Sequence, residues 1–483
     1  MLGGRLMNKG VGLFGLVGLV VGACLGTGVF AMTGQIAEYA APGAAIVAFV
    51  ITGLGFTALA LSLANLGTKR PELRGVFSYA TEGFGSLAGF ISGWGYWLSC
   101  WLGNVAYATM LCQTIGYFYK PWSFSGSIPI PCLIFASMIL WAITCFVTRG
   151  IESASFVNAC VMVAKVAGIL VFLVFVIASF NAGIFTADFW GNVYNNMVAT
   201  GQAGTDAEEL GSIPDQVVNC MIIIMWAFIG IEGATVLSSR AKDKKQVSSA
   251  TIIGLLILLV IYFCMVLLPY GVMPYTEIAE LGYPAATYVF ENIMPGFGGA
   301  FLSVAIIFAI FGAWLSFTIL PAETAQEMAK EKLLPKLWGK LNRFKSPYVS
   351  LIISGCCVQV ILTTLIVSGD AYKFAFSMCT VSIVFTWTLA AAYNFKYSSQ
   401  KSEILQCVIS AVAVAFLVVA TFMNGWDLLM LTCVGYLPGF VVYCMAKRQQ
   451  GKSINKGEVI TFSIFAIIGI VALVMVAMGE IVI

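Results

Sequence analysis

The sequence has 483 residues, of which 60% are hydrophobic and 10% are charged, and its formal net charge is +3. Soluble domains contain about 45–50% apolar and about 25% charged residues, so this composition excludes an ordinary soluble enzyme and a disordered chain. It predicts an all-α polytopic membrane protein.

Apolar runs of about 20 residues, the length that crosses a bilayer, recur along the whole chain. They lie at 10–33, 43–66, 87–117, 128–148, 156–180, 215–238, 247–273, 298–325, 347–369, 372–395, 403–424, 427–446 and 458–479. These runs predict thirteen spans. The connections at 369–372 and 424–427 are very short, so twelve spans are the alternative if one run is re-entrant or interfacial.

The basic residues fall on one side of this predicted layout. All but three of the 25 Lys and Arg residues lie at the N-terminus or in the even-numbered loops, and the exceptions are Lys120, Lys165 and Lys373. The positive-inside rule therefore predicts a cytoplasmic N-terminus. We expect a multi-pass protein of the plasma membrane, in a bacterial cell, whose C-terminus lies outside.

Two spans contain glycine-rich interruptions. Span 1 reads GACLGTGVF at 22–30, and span 6 reads WAFIGIEG at 226–233. Broken helices at corresponding places in two halves indicate a secondary transporter built from inverted repeats. The N–H end of a half-helix attracts a carboxylate and the carbonyl end attracts an ammonium group, and an amino acid carries both. The alternative is that the span 1 glycines only let helices pack closely.

Two ionisable side chains lie deep inside predicted spans. Glu232 lies beside the break in span 6, and Lys165 lies within span 5. Such a group is costly unless it faces a cavity or a partner, so Glu232 is a candidate for proton exchange. A structural hydrogen bond to a neighbouring helix is the alternative. Lys165 is a candidate proton carrier or fixed ammonium group, and extension of its side chain to the membrane surface is the weaker interpretation.

The amino-acid composition limits how this chain could carry protons, form disulfides or bind metals. The chain has no histidine, so proton coupling would use carboxylates or lysine. Most of the 14 cysteines lie in apolar stretches, which is typical of small buried residues rather than a disulfide framework or a zinc site. We therefore expect no cofactor, no bound metal, no enzymatic activity and no nucleic-acid partner.

Several separate motifs, in order, resemble the amino acid–polyamine–organocation superfamily. They are GTGVF at 26–30, RP at 70–71 with GVFSY at 75–79 and FG at 84–85, YWLSCWLGN at 96–104, WAFIGIE at 226–232, and TILPAE at 318–323 with Pro335. The chain is similar in particular to the basic amino acid/polyamine antiporters, and most of all to their arginine–ornithine branch. Arginine–agmatine and histidine–histamine exchangers are neighbouring branches.

The resemblance implies a LeuT-like five-plus-five inverted-repeat core with broken helices 1 and 6. The core would occupy residues 1–400, and residues 401–483 would form peripheral C-terminal membrane helices. It also implies roles for individual residues. The implied substrate-binding residues are Cys24, Gly26, Thr27 and Gly28 for the carboxylate, Ile229 and Gly230 for the α-amino group, Trp226 as an aromatic lid, Asn104 as a polar contact, Tyr96 as a gate and Phe317 as a packing residue.

Two of the implied roles concern pH response and the shape of the pocket. Glu232 matches a pH-responsive glutamate of the family, and with Lys165 it forms the predicted pair for proton coupling. Phe317 stands where the relatives carry a tryptophan, while Trp314 lies one helical turn earlier. This difference predicts a pocket of altered shape.

The leading hypothesis is an antiporter that exchanges a cationic amino acid for a related amino acid or amine. The alternative is a proton-coupled amino acid symporter that uses Lys165 and Glu232. A non-transporting sensor with the same site is a further alternative, whereas an ion channel is disfavoured because no pore-filter segment repeats. The expected partners are the small-molecule substrate and the lipid bilayer, and the oligomeric state, including a homodimer, is left open.

Overall fold

The computed structural model describes residues 12–73, 75–124, 126–203, 208–233, 244–367, 371–423 and 425–481. The regular secondary structure of these residues consists of helices and contains no strand. The all-α prediction is therefore confirmed. Residues 1–11, including the N-terminus whose orientation the basic residues predict, lie outside the described ranges.

The helices of the first half of the chain begin with a broken pair and include four helices of at least 19 residues. They are α1 (Leu13–Cys24), α2 (Gly28–Ala37), α3 (Pro42–Lys69), α4 (Val76–Phe84), α5 (Ser86–Gly116), α6 (Ile130–Thr148), α7 (Ile151–Ala178), α8 (Ala182–Thr186), α9 (Asn192–Ala199) and α10 (Ile213–Ala227).

The second half contains two short helices and seven long ones. They are α11 (Lys244–Leu267), α12 (Tyr275–Ala279), α13 (Ala285–Ile293), α14 (Gly298–Lys330), α15 (Tyr348–Thr364), α16 (Ala371–Gln400), α17 (Ile404–Met423), α18 (Trp426–Gln449) and α19 (Lys456–Met478). Short 3₁₀ turns at Lys120–Trp122, Pro269–Gly271 and Lys336–Gly339 lie between them.

The helices agree with the predicted spans. In the described part of the chain, nine helices are long and apolar enough to cross a membrane, and α1 with α2 forms a tenth span that bends by 45°. Helices α5, α10 and α15 coincide with the three remaining apolar runs. A separate helix, whole or broken, therefore lies at each of the predicted runs, although the run at 215–238 is described only as far as Gly233.

The centre of the molecule is built around α5. Helices α14 and α16 pack along it, and α1 packs against α11. Small residues allow this close approach, as is usual between membrane helices. A Cβ atom at Gly95 of α5 would lie 2.7 Å from the carbonyl oxygen of Ser382 in α16, so only glycine fits at this crossing.

The last two helices pack mainly against each other. The side chain of Glu458, at the start of α19, accepts a hydrogen bond from the Tyr443 hydroxyl at 2.8 Å. It also pairs with Lys447 Nζ at 2.7 Å. The Tyr443 hydroxyl is in turn 3.0 Å from that of Ser86, at the start of α5. This chain of polar contacts attaches α18 and α19 to the helices around α5.

A second polar cluster, called here the Arg70 cluster, joins the end of α3 to the end of α16. The Arg70 guanidinium pairs with Glu72 at 2.5 Å and with Glu82 at 3.0 Å. It also donates a hydrogen bond to the Tyr393 hydroxyl. Helix α3 has 28 residues and so spans about 42 Å at 1.5 Å per residue. The Arg70 cluster therefore lies at the opposite end of the molecule from the residues between α2 and α3.

Candidate substrate site

The first element of the site is the interruption between α1 and α2. Helix α1 ends at Cys24 and α2 begins at Gly28. The amide of Leu25 closes the last turn of α1 on the carbonyl of Val21 at 2.9 Å. The first N–H groups of a helix have no acceptor within it, so the start of α2 presents donors and a partial positive charge. This is the feature that a carboxylate needs.

The second element is the interruption after α10. The helix ends at Ala227, and the chain then turns through Phe228 to Gly233 with short-range hydrogen bonds such as Ile231 N to Phe228 O at 3.1 Å. Gly230 has a φ of +113°, and a Cβ atom there would lie 3.1 Å from the carbonyl carbon of Ala23 in α1. Both the backbone conformation and the close approach require glycine.

The two interruptions touch each other. The Cys24 thiol donates to the carbonyl oxygen of Phe228 at 3.7 Å. The hydroxyl of Tyr262, a fully buried residue of α11, lies 2.9 Å from the carbonyl oxygen of Cys24 and 2.7 Å from that of Ala227. One buried phenol thus bridges the carbonyl ends of both broken helices. Tyr262 was not predicted, because nothing in the sequence of α11 relates it to either break.

Trp226 lies against the amide end of α2. A Cβ atom at Gly28 would be 3.1 Å from both Cδ1 and Nε1 of the Trp226 ring. The ring is 6.0 Å from that of Tyr107 and 6.5 Å from that of Phe317 between centroids. It is also 6.3 Å from the ring of Phe376 in α16. The structure therefore brings four aromatic side chains from four helices together at the breaks.

Two of these aromatic residues, Tyr107 and Phe376, were not predicted. Tyr107 lies three residues after Asn104 on α5, so the helical repeat places both on one face. A Cβ atom at Gly26 would lie 3.0 Å from the Tyr107 hydroxyl. The spacing from Asn104 was the available signal for Tyr107. No sequence signal pointed to Phe376, since it comes from a helix that is distant in sequence.

The polar groups beside this aromatic cluster include two that the fold leaves unused. Asn104 Nδ2 donates to the carbonyl oxygen of Phe317 at 3.1 Å and lies 3.4 Å from Thr318 Oγ1. Asn104 Oδ1 and Trp226 Nε1 are buried, and neither has a hydrogen-bond partner within the described ranges. Burying an unpaired polar atom is unfavourable. One acceptor and one donor are thus available to a bound molecule.

Glu232 is fully buried beside the second break. Its Oε2 atom accepts from Trp387 Nε1 at 3.2 Å and from the amide of Gly230 at 3.3 Å. Tyr96 of α5, also buried, lies close to both Cys100 and Glu232. The carboxylate is therefore held by α16 and by its own turn. Trp387 was not predicted as its partner.

Lys165 is fully buried, and its Nζ atom donates to the carbonyl oxygen of Gly22 at 2.6 Å. The interpretation in which the side chain extends to the membrane surface is therefore wrong. The ammonium group lies at the carbonyl end of α1, where a helix attracts positive charge. Lys165 therefore contacts the end of α1 at the first break, whereas Glu232 contacts the second break and α16.

Of the side chains in the described segments, no three of Cys, Asp and Glu lie close enough together to hold a metal ion. The site is instead a set of backbone ends, aromatic rings and single polar atoms. Such a set can bind a small molecule that carries a carboxylate, an ammonium group and an extended side chain.

Comparisons with known proteins agree with this geometry. A family model described as amino acid permease matches residues 11–438. This chain belongs to the amino acid permease family. The resemblance stated from the motifs is confirmed, and the protein is a multi-pass membrane permease with relatives that are named antiporters.

Three relatives of this permease illustrate the range of sequence identity. An arginine/ornithine antiporter of Latilactobacillus sakei is 42% identical over 98% of both chains. An arginine/ornithine antiporter of Pseudomonas aeruginosa is 34% identical over 95% of both. An arginine/agmatine antiporter of Chlamydia pneumoniae is 31% identical over 98% of both. The similarity therefore includes the C-terminal helices as well as the broken ones.

Proposed function

We propose that this permease is an antiporter that exchanges a cationic amino acid, of the arginine or ornithine type, for a related amino acid or amine by alternating access. The observation that carries the proposal is the meeting of two broken helices around Trp226, whose ring lies against the start of α2. The names of the relatives favour exchange over proton-coupled uptake.

In this proposal the two broken helices hold the amino acid group of the substrate. The carboxylate binds the backbone from Cys24 through Gly26 and Thr27 to Gly28, where the amide end of α2 supplies donors. The α-amino group binds the carbonyl groups near Ile229 and Gly230. Both ends of the substrate backbone are therefore recognised without any charged side chain.

The cationic side chain of the substrate extends into the aromatic cluster. Trp226 covers it, and a cation over an indole ring gains about 0.5–2 kcal/mol depending on desolvation. Asn104 Oδ1, which the fold leaves unpaired, accepts a hydrogen bond from the guanidinium or ammonium group. Phe317 packs on the far side, and Tyr96 acts as a gate between this pocket and Glu232.

Glu232 and Lys165 have different proposed roles. Glu232 lies beside the second break and responds to pH, because its protonation alters the contact between α16 and the turn at Gly230. Lys165 is a fixed ammonium that holds the carbonyl end of α1 in place. A fixed charge of this kind stabilises the broken helix without a bound cation.

The two ends of the molecule support an orientation. The Arg70 cluster closes the end that carries most of the basic loops, and we assign that end to the cytoplasm together with the N-terminus. We place the protein in the plasma membrane. Residues 1–400 form the transport core in this proposal, and 401–483 form peripheral helices, which contact the core through the hydroxyls of Tyr443 and Ser86.

The test uses purified protein in proteoliposomes. Vesicles loaded with ornithine are expected to take up labelled arginine many times faster than empty vesicles, because the empty carrier rarely reorients. Equal uptake into empty vesicles would contradict obligate exchange. Accumulation in empty vesicles driven by a pH jump would instead support the proton-coupled alternative.

A further inference from the structure

A second polar cavity lies outside the aromatic cluster. It has a volume of about 210 Å³, and we call it the outer vestibule. Its polar lining includes Gln35, Glu38, Tyr39, Asn219, Tyr283 and Lys373. Lys373 lies at the start of α16, whereas the Arg70 cluster contacts Tyr393 near its end, so about 30 Å of helix separates the two. The vestibule therefore opens at the end opposite the Arg70 cluster.

A layer of aromatic rings separates the vestibule from the candidate substrate site. Phe376 lines the vestibule, and its ring is 6.3 Å from that of Trp226 on the other side. The ring of Tyr372 lies 5.4 Å from Phe376 and 5.9 Å from Tyr283. The Tyr372 hydroxyl lies 3.4 Å from Thr27 Oγ1. A molecule that enters from this end meets the vestibule before it meets the breaks.

The vestibule carries one charge of each sign. Glu38 Oε1 accepts a hydrogen bond from the Tyr283 hydroxyl at 2.7 Å. Lys373 Nζ contacts the Tyr39 hydroxyl and lies 5.0 Å from the centre of that ring. The two tyrosines orient the carboxylate and the ammonium group, and both charged side chains remain exposed at the entrance.

Gln35 provides an independent indication of a ligand. Its side chain is only 2% exposed, and its Oε1 atom lacks a hydrogen-bond partner among the residues that the structure describes. A buried carbonyl oxygen without a donor is unfavourable. Gln35 lies seven residues, two turns, after Gly28 on the same face of α2. A molecule with N–H groups would satisfy this atom on its way to the breaks.

Lys373 is informative because basic residues are rare on this face. The sequence assigns only Lys120 and Lys373 to the outward loops. An ammonium group at the entrance repels a cationic substrate unless the substrate also brings a negative group to it. An α-carboxylate is such a group, and a decarboxylated amine lacks it.

We propose that the outer vestibule is a second binding site, which takes a cationic amino acid by both ends before it reaches the breaks. The cationic side chain binds Glu38 and Gln35, and the α-carboxylate binds Lys373. The site therefore selects zwitterionic cationic amino acids against amines without a carboxylate. This inference rests on the proposed function, since it takes the same substrate class.

The experiment measures entry from the outward face in right-side-out membrane vesicles loaded with ornithine. Labelled arginine gives the KM for the amino acid, and unlabelled agmatine, which lacks the carboxylate, gives an inhibition constant for the amine. The variant is Lys373→Met. The matched control is Lys120→Met, which removes the other outward lysine from an exposed 3₁₀ turn distant in sequence from the cavity lining.

We expect Lys373→Met to raise the KM for arginine about fivefold, which corresponds to about 1 kcal/mol, the upper range for an exposed charge pair. The inhibition constant for agmatine is expected to stay unchanged or to fall. Lys120→Met should leave both constants as in the wild type. Lys373→Arg should keep the preference for arginine over agmatine, because it keeps the positive charge that Lys373→Met removes.

Glu38→Gln tests the other end of the substrate. It should raise the KM for arginine about as much, and it should leave competition by citrulline, whose side chain is neutral, unchanged. Equal effects of Lys373→Met on arginine and agmatine, or no effect on either, would overturn the vestibule proposal. A wild-type protein that does not exchange arginine for ornithine would instead refute the proposed function.

Discussion

Replacing Gly230 by alanine is expected to deform the second break and to weaken substrate binding. Gly230 has a φ of +113°, a conformation that side chains with a Cβ atom rarely adopt. The added methyl group would lie 3.1 Å from both the carbonyl carbon and the Cβ atom of Ala23, and 3.3 Å from the amide nitrogen of Cys24. Two of these three neighbours are backbone atoms of α1, which cannot turn aside as a flexible side chain could.

The expected loss of affinity follows from the strained backbone conformation and from the close contacts of the added methyl group. A positive φ at a residue with a Cβ atom costs about 1–2 kcal/mol, and the close contacts bring the strain to roughly 2–3 kcal/mol. The chain can relieve this strain only by moving the carbonyl groups near Gly230 away from Cys24. If substrate binds only the undeformed arrangement, its apparent dissociation constant should rise at least tenfold, since each 1.4 kcal/mol is a factor of ten.

The assay is equilibrium binding of labelled arginine to the purified protein in detergent, with thermal stability measured by size-exclusion chromatography. Gly233→Ala is the matched control, because a Cβ atom there meets only the Cβ atom of Ala23 at an ordinary 3.9 Å. It should bind arginine within a factor of about two of the wild type. If Gly230→Ala binds arginine as tightly as Gly233→Ala does, then the left-handed glycine is not what shapes the site.

Four further results are expected. Trp226→Leu should weaken arginine binding by tenfold or more while Trp226→Phe weakens it less, because only the first removes the ring face; equal affinities would refute the lid assignment. Glu232→Gln should flatten the pH dependence of exchange without lowering expression, and an unchanged pH profile would rule out its role as the pH sensor. Lys165→Met should lower the thermal stability by losing the bond to the Gly22 carbonyl, whereas a stability equal to the wild type would show that this bond does not hold α1. For Glu291, hydrogen bonds from the amides of Gly296 and Gly299 and from the Tyr117 hydroxyl lower the pKa of the carboxyl below its usual 4.5. The stabilisation that these bonds give the folded protein is therefore present above that pH and is lost as the pH falls through the lowered pKa. The difference in melting temperature between Glu291→Gln and the wild type should be present at pH 7 and should shrink below about pH 4.5.

The fold was largely predictable because bilayer thickness fixes the length of every element. Each predicted run coincides with a helix, and the breaks lie at the two glycine-containing motifs at 22–30 and 226–233. Some boundaries shifted by several residues because a helix extends beyond its apolar run, as in α14, which continues to Lys330 beyond the predicted end at 325. Such an extension is not visible in hydropathy, since its residues are stabilised by intrahelical hydrogen bonds rather than by lipid.

The candidate site was predictable only in part. The residues from Cys24 to Gly28 and from Trp226 to Glu232 are contiguous motifs, and their roles stay predictions that the variants above test. The sequence did not predict four aromatic residues of the site, which are Tyr107, Tyr262, Phe376 and Trp387. Each is an aromatic residue in an apolar helix, where the same residue type also serves ordinary packing, so local sequence does not distinguish the two.

The sequence by itself determined that this chain is a polytopic helical membrane protein, where its helices break and which family it belongs to. These properties depend on composition and on local patterns along the chain. Only the tertiary structure decided what meets at the breaks: Tyr262 between two carbonyl ends, Lys165 on the carbonyl of Gly22, and Gln35 with Glu38 and Lys373 around an outer cavity. Tyr262 and Lys165 are separated from their partners by tens to hundreds of residues, and Lys373 is equally distant from Gln35 and Glu38, so only the packing of helices against one another brings these groups together.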